Sequence, residues 1–204
     1  MARIDDYDAA RKIAIDALSA RAFDAICHAS GFESGGHDRF NVPFLDRHYL
    51  VDYPAFNFTD PSPPDRSVPI QEQVLILHYM MADYGHKGPG NWISYREISG
   101  ASFYFPSFVK RAIDPLKKVF GQRPADLQTA AARISGKAID AGDVGFSFDL
   151  FPNISLQVIL WEGDDEFAPE ANILFGDTIG DMLSPEDVAW LAGMLVYRLI
   201  ALSR

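Results

Sequence analysis

Late in the chain, two runs of alternating apolar and polar residues lie back to back. Val144, Phe146, Phe148 and Leu150 alternate with Gly145, Ser147 and Asp149. Ile154, Leu156, Val158 and Leu160 repeat the pattern beyond Pro152 and Asn153. A spacing of two sends successive side chains to opposite faces of an extended chain, so each run predicts a half-buried strand. Ile159 and Trp161 make the far end of the second run apolar on both faces, which predicts a central strand. A third short run, residues 172–175, closes on Asp177. Upstream, residues 42–53 alternate well enough for a hairpin turning at Asp46 and Arg47, with residues 55–58 continuing it.

The rest of the chain repeats at helical spacing. Tyr7, Ala10, Ala14, Leu18, Ala22, Ala25 and Ile26 predict an N-terminal helical arm, either one long helix or two with a break near residues 19–21, stopped by Gly31. Residues 69–84 predict a core helix with Pro69 as its first residue and Ile70, Val74, Leu75, Leu77, His78 and Met81 on the apolar stripe. Phe105, Phe108, Val109, Ala112, Ile113, Leu116 and Phe120 predict a helix over 105–120, kinked or restarted at Pro115 with Asp114 as cap. Further helices are predicted over 124–135 and over 185–202, where Ser184, Pro185, Glu186 and Asp187 make a helix start. The C-terminal helix is apolar on two stripes: Val188, Leu191, Leu195 and Leu199, then Trp190, Met194 and Tyr197. The loop 31–38 and the proline-rich connector 60–65 punctuate the pattern. Together these elements predict an α+β fold: an antiparallel sheet of about four to six strands covered by amphipathic helices. A single domain is expected, with a helical arm over about 1–31 and a core over about 40–204.

Composition narrows the classes of partner. A formal charge of −10 opposes nucleic acid and anionic membranes as partners of the whole surface. One cysteine, Cys27, cannot form an internal disulfide or a four-thiolate metal site, and it reads as a small buried apolar residue. The first residues lack the apolar stretch of a signal peptide and no run is long enough to span a membrane, so a cytoplasmic location is the expectation. The charge is uneven. Residues 101–137 carry seven Lys/Arg against two acids, whereas residues 138–204 carry two against twelve. Lys110, Arg111, Lys117 and Lys118 form the basic face of the 105–120 helix, a candidate patch for an anionic ligand or partner.

Three places could carry chemistry. Trp92, Tyr95, Arg96 and Tyr104 lie in an aromatic-dense stretch which, with His78 and Lys87, would suit a planar or anionic ligand. His78 is also the best candidate acid or base. The corner 162–166 holds four carboxylates in five residues, and with Asp177 it supplies a candidate hard-cation site: Asp164, Asp165, Glu166 and Asp177. Its spacing is not that of a calcium-binding loop, and no histidine accompanies it. Glu166 and Asp177 are alternatively expected to hold backbone amides. No phosphate loop, dinucleotide fingerprint, HExxH or GxSxG motif occurs.

The run ILWEGDDEFAPEANILFGD, preceded by LILHYM, WISYREISGASFY and GDVGFSFDLFP and followed by LSPEDVAWLAGMLVYRL, resembles the family called domain of unknown function 3786, over roughly residues 69–199. The resemblance implies an uncharacterised bacterial and archaeal family, chiefly of anaerobes. Some of its members carry an iron–sulfur cluster domain, which the single cysteine here could not hold. It implies no mechanism. Three readings of function follow. The first is a small-molecule or cofactor-binding accessory protein using the aromatic and basic residues. The second is a metal-dependent hydrolase using the acidic corner with His78 as base. The third is a homodimeric interaction module using the helix over 185–202.

Overall fold

The computed structural model describes residues 4–62, 66–83 and 90–203. The chain divides into two compact units. The first comprises Met1–Gly88 with Phe151–Asn153 and Asp181–Leu183, and the second holds the remainder. Residues 84–89, with Lys87 and the predicted end of the 69–84 helix among them, lie outside the described residues, as does the end of the proline-rich connector.

In the first unit the helical arm is two helices, α1 (Ile4–Ser19) and α2 (Phe23–Ser30), the second of the two arrangements that the sequence allows. Gly31 ends α2 in the left-handed conformation, its N–H returning to the Cys27 carbonyl. A four-stranded antiparallel sheet follows in sequential order, β1 (Glu33–Ser34), β2 (Arg39–Phe44), β3 (Arg47–Asp52) and β4 (Phe58–Thr59). The β2–β3 turn falls at Leu45 and Asp46, one residue earlier than the sequence suggests, because Phe44 pairs with Arg47 and Leu45 takes the positive φ. That register places Phe40 opposite Val51 and Val42 opposite Tyr49, all four buried.

Helix α3 (Ile70–Met81) packs on α1 and α2. Pro69 caps this helix instead of opening it. Its buried face, Val74, Leu75, Ile76, Leu77, Tyr79 and Met80, is rotated from the predicted stripe, so that Met81 is exposed. Arg21 donates to the terminal Met80 and Met81 carbonyls of α3, which have no partner inside the helix. The Tyr79 hydroxyl donates to the Ser30 carbonyl at 2.6 Å and accepts from Asn153, and burial pushes its pKa up to about 12.

The second unit is built on a five-stranded antiparallel sheet in the order β5 (Trp92–Ser94), β9 (Glu170–Gly176), β8 (Ile154–Trp161), β7 (Val144–Phe151) and β6 (Lys137–Ala138). The α+β class and antiparallel pairing are as predicted, and β8 is central. The strands, however, form two sheets, because the β2–β3 hairpin and the β7–β9 segment each find partners in their own stretch of sequence.

Helices α4 (Phe105–Phe108), α5 (Asp114–Phe120), α6 (Pro124–Arg133) and α8 (Pro185–Leu202) belong to this unit. The short α7 (Ile179–Met182) precedes α8, whose cap Ser184 accepts from the Asp187 N–H. Between α4 and α5 the chain does not restart at Pro115. A π turn, Val109–Ile113, carries it through, with the Asp114 N–H reaching the Val109 carbonyl. The fully buried positions Phe108, Ala112, Leu116 and Phe120 are spaced by four. An α-helix would carry them about 120° around its axis over that length, and one widened turn takes up about 100° of the drift. The π turn packs against α8, where a Cβ on Gly193 would come within 3.4 Å of the Arg111 backbone oxygen. Among the described residues no helix is long and apolar enough to cross a membrane.

Candidate ligand-binding groove

The predicted aromatic and basic residues are divided between the two units. His78, half-buried on α3, belongs to the first unit, and Trp92, Tyr95, Arg96 and Tyr104 belong to the second. Tyr95 is only 1% exposed. Its ring stacks on Phe108 at 4.3 Å, and its hydroxyl donates to the Pro185 carbonyl at 2.6 Å. Burial pushes that phenol up to about 12, so it stays a neutral donor. The Arg96 guanidinium lies 3.7 Å from the Phe105 ring centroid. Trp92 is half-buried in β5 opposite Gly176, and Tyr104 meets Phe103 edge-on. Of these residues Tyr95 is buried, Trp92 and Tyr104 are half-buried, and Arg96 is exposed, as is Phe103 at 83%.

The acidic candidates are also separated. Asp164 follows β8, whereas Asp177 follows β9 at that strand's other end, roughly 20 Å away along an extended strand. Asp177 Oδ2 accepts from the backbone and side-chain amides of Asn91, each at 3.2 Å, as expected of a carboxylate holding backbone. The equivalent task expected of Glu166 is performed by Asp164. Its Oδ1 accepts from the Glu166 and Phe167 N–H groups at 2.8 and 2.7 Å, and these bonds hold its pKa below the ordinary carboxylate value. Asp165 is exposed. Among the described residues no group of three or more His, Cys, Asp or Glu side chains is placed to hold a metal ion.

A concavity lies where β8 ends. Alternation turns Leu160 inward and Trp161 outward, leaving the indole 41% exposed. The chain then folds over as a lip. Asp164 Oδ1 closes a tight turn, and the Asp164 N–H donates to the Phe167 carbonyl at 2.9 Å. The lip is seated on the turn after α5, where the Gly163 N–H donates to the Gly121 carbonyl at 2.9 Å. Neither glycine admits a side chain, because a Cβ on either would lie 2.5 Å from Pro169. The Glu162 N–H donates to Asp143 at 2.7 Å and fixes the lip's other end.

This backbone clamp leaves a groove of about 410 Å³. Its floor and lip are Trp161, Phe167, Ala168 and Pro169, and its charges are Lys117, Glu162 and Glu170. Phe167 is 69% exposed, unusual for phenylalanine. Lys117 comes from the last turn of α5, Glu162 from the end of β8 and Glu170 from the start of β9. Trp161 and Glu170 are direct cross-strand partners, so their side chains share a face.

Lys117 is thus the one member of the predicted basic face that lines this groove. Lys110 and Lys118 are exposed. Arg111 sits inside, 4.4 Å from the Trp190 ring centroid, and its buried Nη1 has no hydrogen-bond partner among the described residues. Trp190 therefore belongs to the packing of α8, and Tyr197, 60% exposed, is left from that helix's second stripe. Cys27 is half-buried; burial and then the Asp24 charge push its thiol pKa up, away from a reactive thiolate. The sequence did carry a sign of the groove. Trp161 breaks the alternation of β8 at its last position, and Phe167, Ala168 and Pro169 are apolar in an otherwise acidic corner.

Fold and site together define an α+β protein whose larger sheet ends in an aromatic groove rimmed by both signs of charge. The family model described as Domain of unknown function (DUF3786) matches residues 22–198, and the chain belongs to that family. The match starts upstream of the resemblance in the sequence, taking in α2 and the first sheet, and it contains the whole groove. Neither the curated proteins nor the solved structures compared contain a match.

Proposed function

We propose that this chain is a small-molecule-binding accessory protein, and that its ligand is a planar, largely apolar body seated against Trp161 and Phe167. The observation that carries the reading is the exposure of these two aromatic side chains in the lining of a groove whose lip is held by backbone contacts. Exposed aromatic surface in a concave, preformed site supports ligand binding, because burying it against a planar partner recovers transfer free energy at little conformational cost. The lining supplies polar groups at its edge and apolar faces in its middle, the usual division of labour in a binding site.

Saturation-transfer NMR with four indole probes, 3-methylindole, indole-3-propionate, tryptamine and L-tryptophan, tests this reading. At least one probe is expected to bind the wild type, with the signal lost in Trp161→Ala while the melting temperature stays within a few degrees. If no probe binds, or if Trp161→Ala binds as the wild type does, the groove is not the site.

A further inference from the structure

The groove's charges are sorted by the element that bears them, and the sorting describes a ligand. Its cation, Lys117, stands on the last turn of α5. Its two carboxylates stand on strand ends, Glu162 just after β8 and Glu170 at the start of β9. The groove's positive charge therefore comes from a helix and its negative charges from strand ends, with the Trp161 indole paired to Glu170 on the strands.

From this arrangement we infer that the ligand is zwitterionic, with one anionic and one cationic group on a planar apolar body. The inference rests on the small-molecule reading above. Each sign has its own reason. The cross-strand pairing of Trp161 with Glu170 puts a carboxylate beside an exposed indole face, and a ligand ammonium there gains both the ring quadrupole and the opposite charge. A carboxylate on the same ligand is drawn to Lys117. A purely anionic ligand would face two carboxylates across the groove, and a purely cationic one would face the lysine. Only a molecule carrying both signs is complemented on both sides. An α-amino acid with an aromatic side chain has this chemistry.

The four probes share the indole ring and carry different charges on the 3-substituent: 3-methylindole has none, indole-3-propionate is an anion, tryptamine a cation and L-tryptophan a zwitterion. Isothermal titration of each against the wild type, Lys117→Met and Glu170→Gln reads the two sides separately. L-tryptophan is expected to bind about tenfold more tightly than 3-methylindole, since each rim charge contributes about three- to fivefold. Lys117→Met should weaken indole-3-propionate and L-tryptophan by that factor and leave tryptamine unchanged or tighter. Glu170→Gln should weaken tryptamine and L-tryptophan and spare indole-3-propionate. Both substitutions are at the surface, and circular dichroism melting checks that folding is intact. If 3-methylindole binds as tightly as L-tryptophan, or if either substitution weakens all four probes equally, the zwitterion assignment falls while the groove stands. If no probe binds the wild type, the groove reading falls and takes the assignment with it.

Discussion

Two regions of the second unit both bring aromatic rings together with a basic residue, and they have opposite fates. Around Tyr95, aromatic rings and an arginine fold in on one another: Tyr95 stacks on Phe108, Arg96 covers Phe105, and the Tyr95 hydroxyl is taken up by the Pro185 carbonyl. Around Trp161, aromatic rings and a lysine face an open groove, and the polar contacts belong to the backbone of the lip. Aromatic and basic residues in proximity do not by themselves mark a site. What separates the two regions is whether the side chains have spent their faces and hydrogen-bonding groups on each other.

Substitution should separate the regions most sharply in stability. Tyr95→Ala removes a buried, stacked ring and is expected to cost about 3–5 kcal/mol, with Tyr95→Phe costing about 1 kcal/mol for the lost hydrogen bond. Trp161→Ala, at a position 41% exposed, should cost well under half of the Tyr95→Ala loss. Chemical denaturation of the three variants checks this, and equal losses at the two alanines would erase the contrast.

A smaller effect is expected where the lip meets the turn after α5. Gly163→Ala places a methyl 2.5 Å from Pro169 Cδ, and the lip has to move. The expected cost is about 1–3 kcal/mol, together with weaker probe binding than Trp161→Phe produces, since Trp161→Phe keeps an aromatic face. Titrating both variants with L-tryptophan makes the comparison.

The smallest effect concerns pH. The folded pKa of Asp164 is depressed by the Phe167 and Glu166 amides, so its contribution is present above the unfolded carboxylate value of 3.8 and fades as pH falls through the lower folded value. The Glu166 and Phe167 amide resonances should therefore titrate only below about pH 4. In Asp164→Asn, whose amide oxygen can accept the same bonds at every pH, that titration should disappear.

Much of the architecture was legible because apolar periodicity is a local signal. β7 and β8 follow from the alternation of Val144 to Leu160, and the end of α2 at Gly31 follows from glycine's freedom at positive φ. The division into two sheets was not legible, since alternation says that a strand has a buried face and does not say which strand pairs with it. The π turn was hidden for a related reason. Val109 and Ile113 fit an α-helical stripe as well as Ala112 does, and only packing against α8 shows that the fully buried positions advance by four. The groove escaped because its aromatic residues lie far along the chain from the dense stretch over residues 92–105. Trp161 ends a strand and Phe167 sits among acids, so their proximity depends on the turn closed by Asp164.

The two glycine contacts with Pro169 bear on rates as well as on shape. Because the main chain supports the lip, the backbone of the cleft is held by the Gly163–Gly121 hydrogen bond and the turn at Asp164. Association should then resemble a rigid encounter, with kon the same for all four indole probes apart from electrostatic steering, and with their differences in affinity residing in how long each stays.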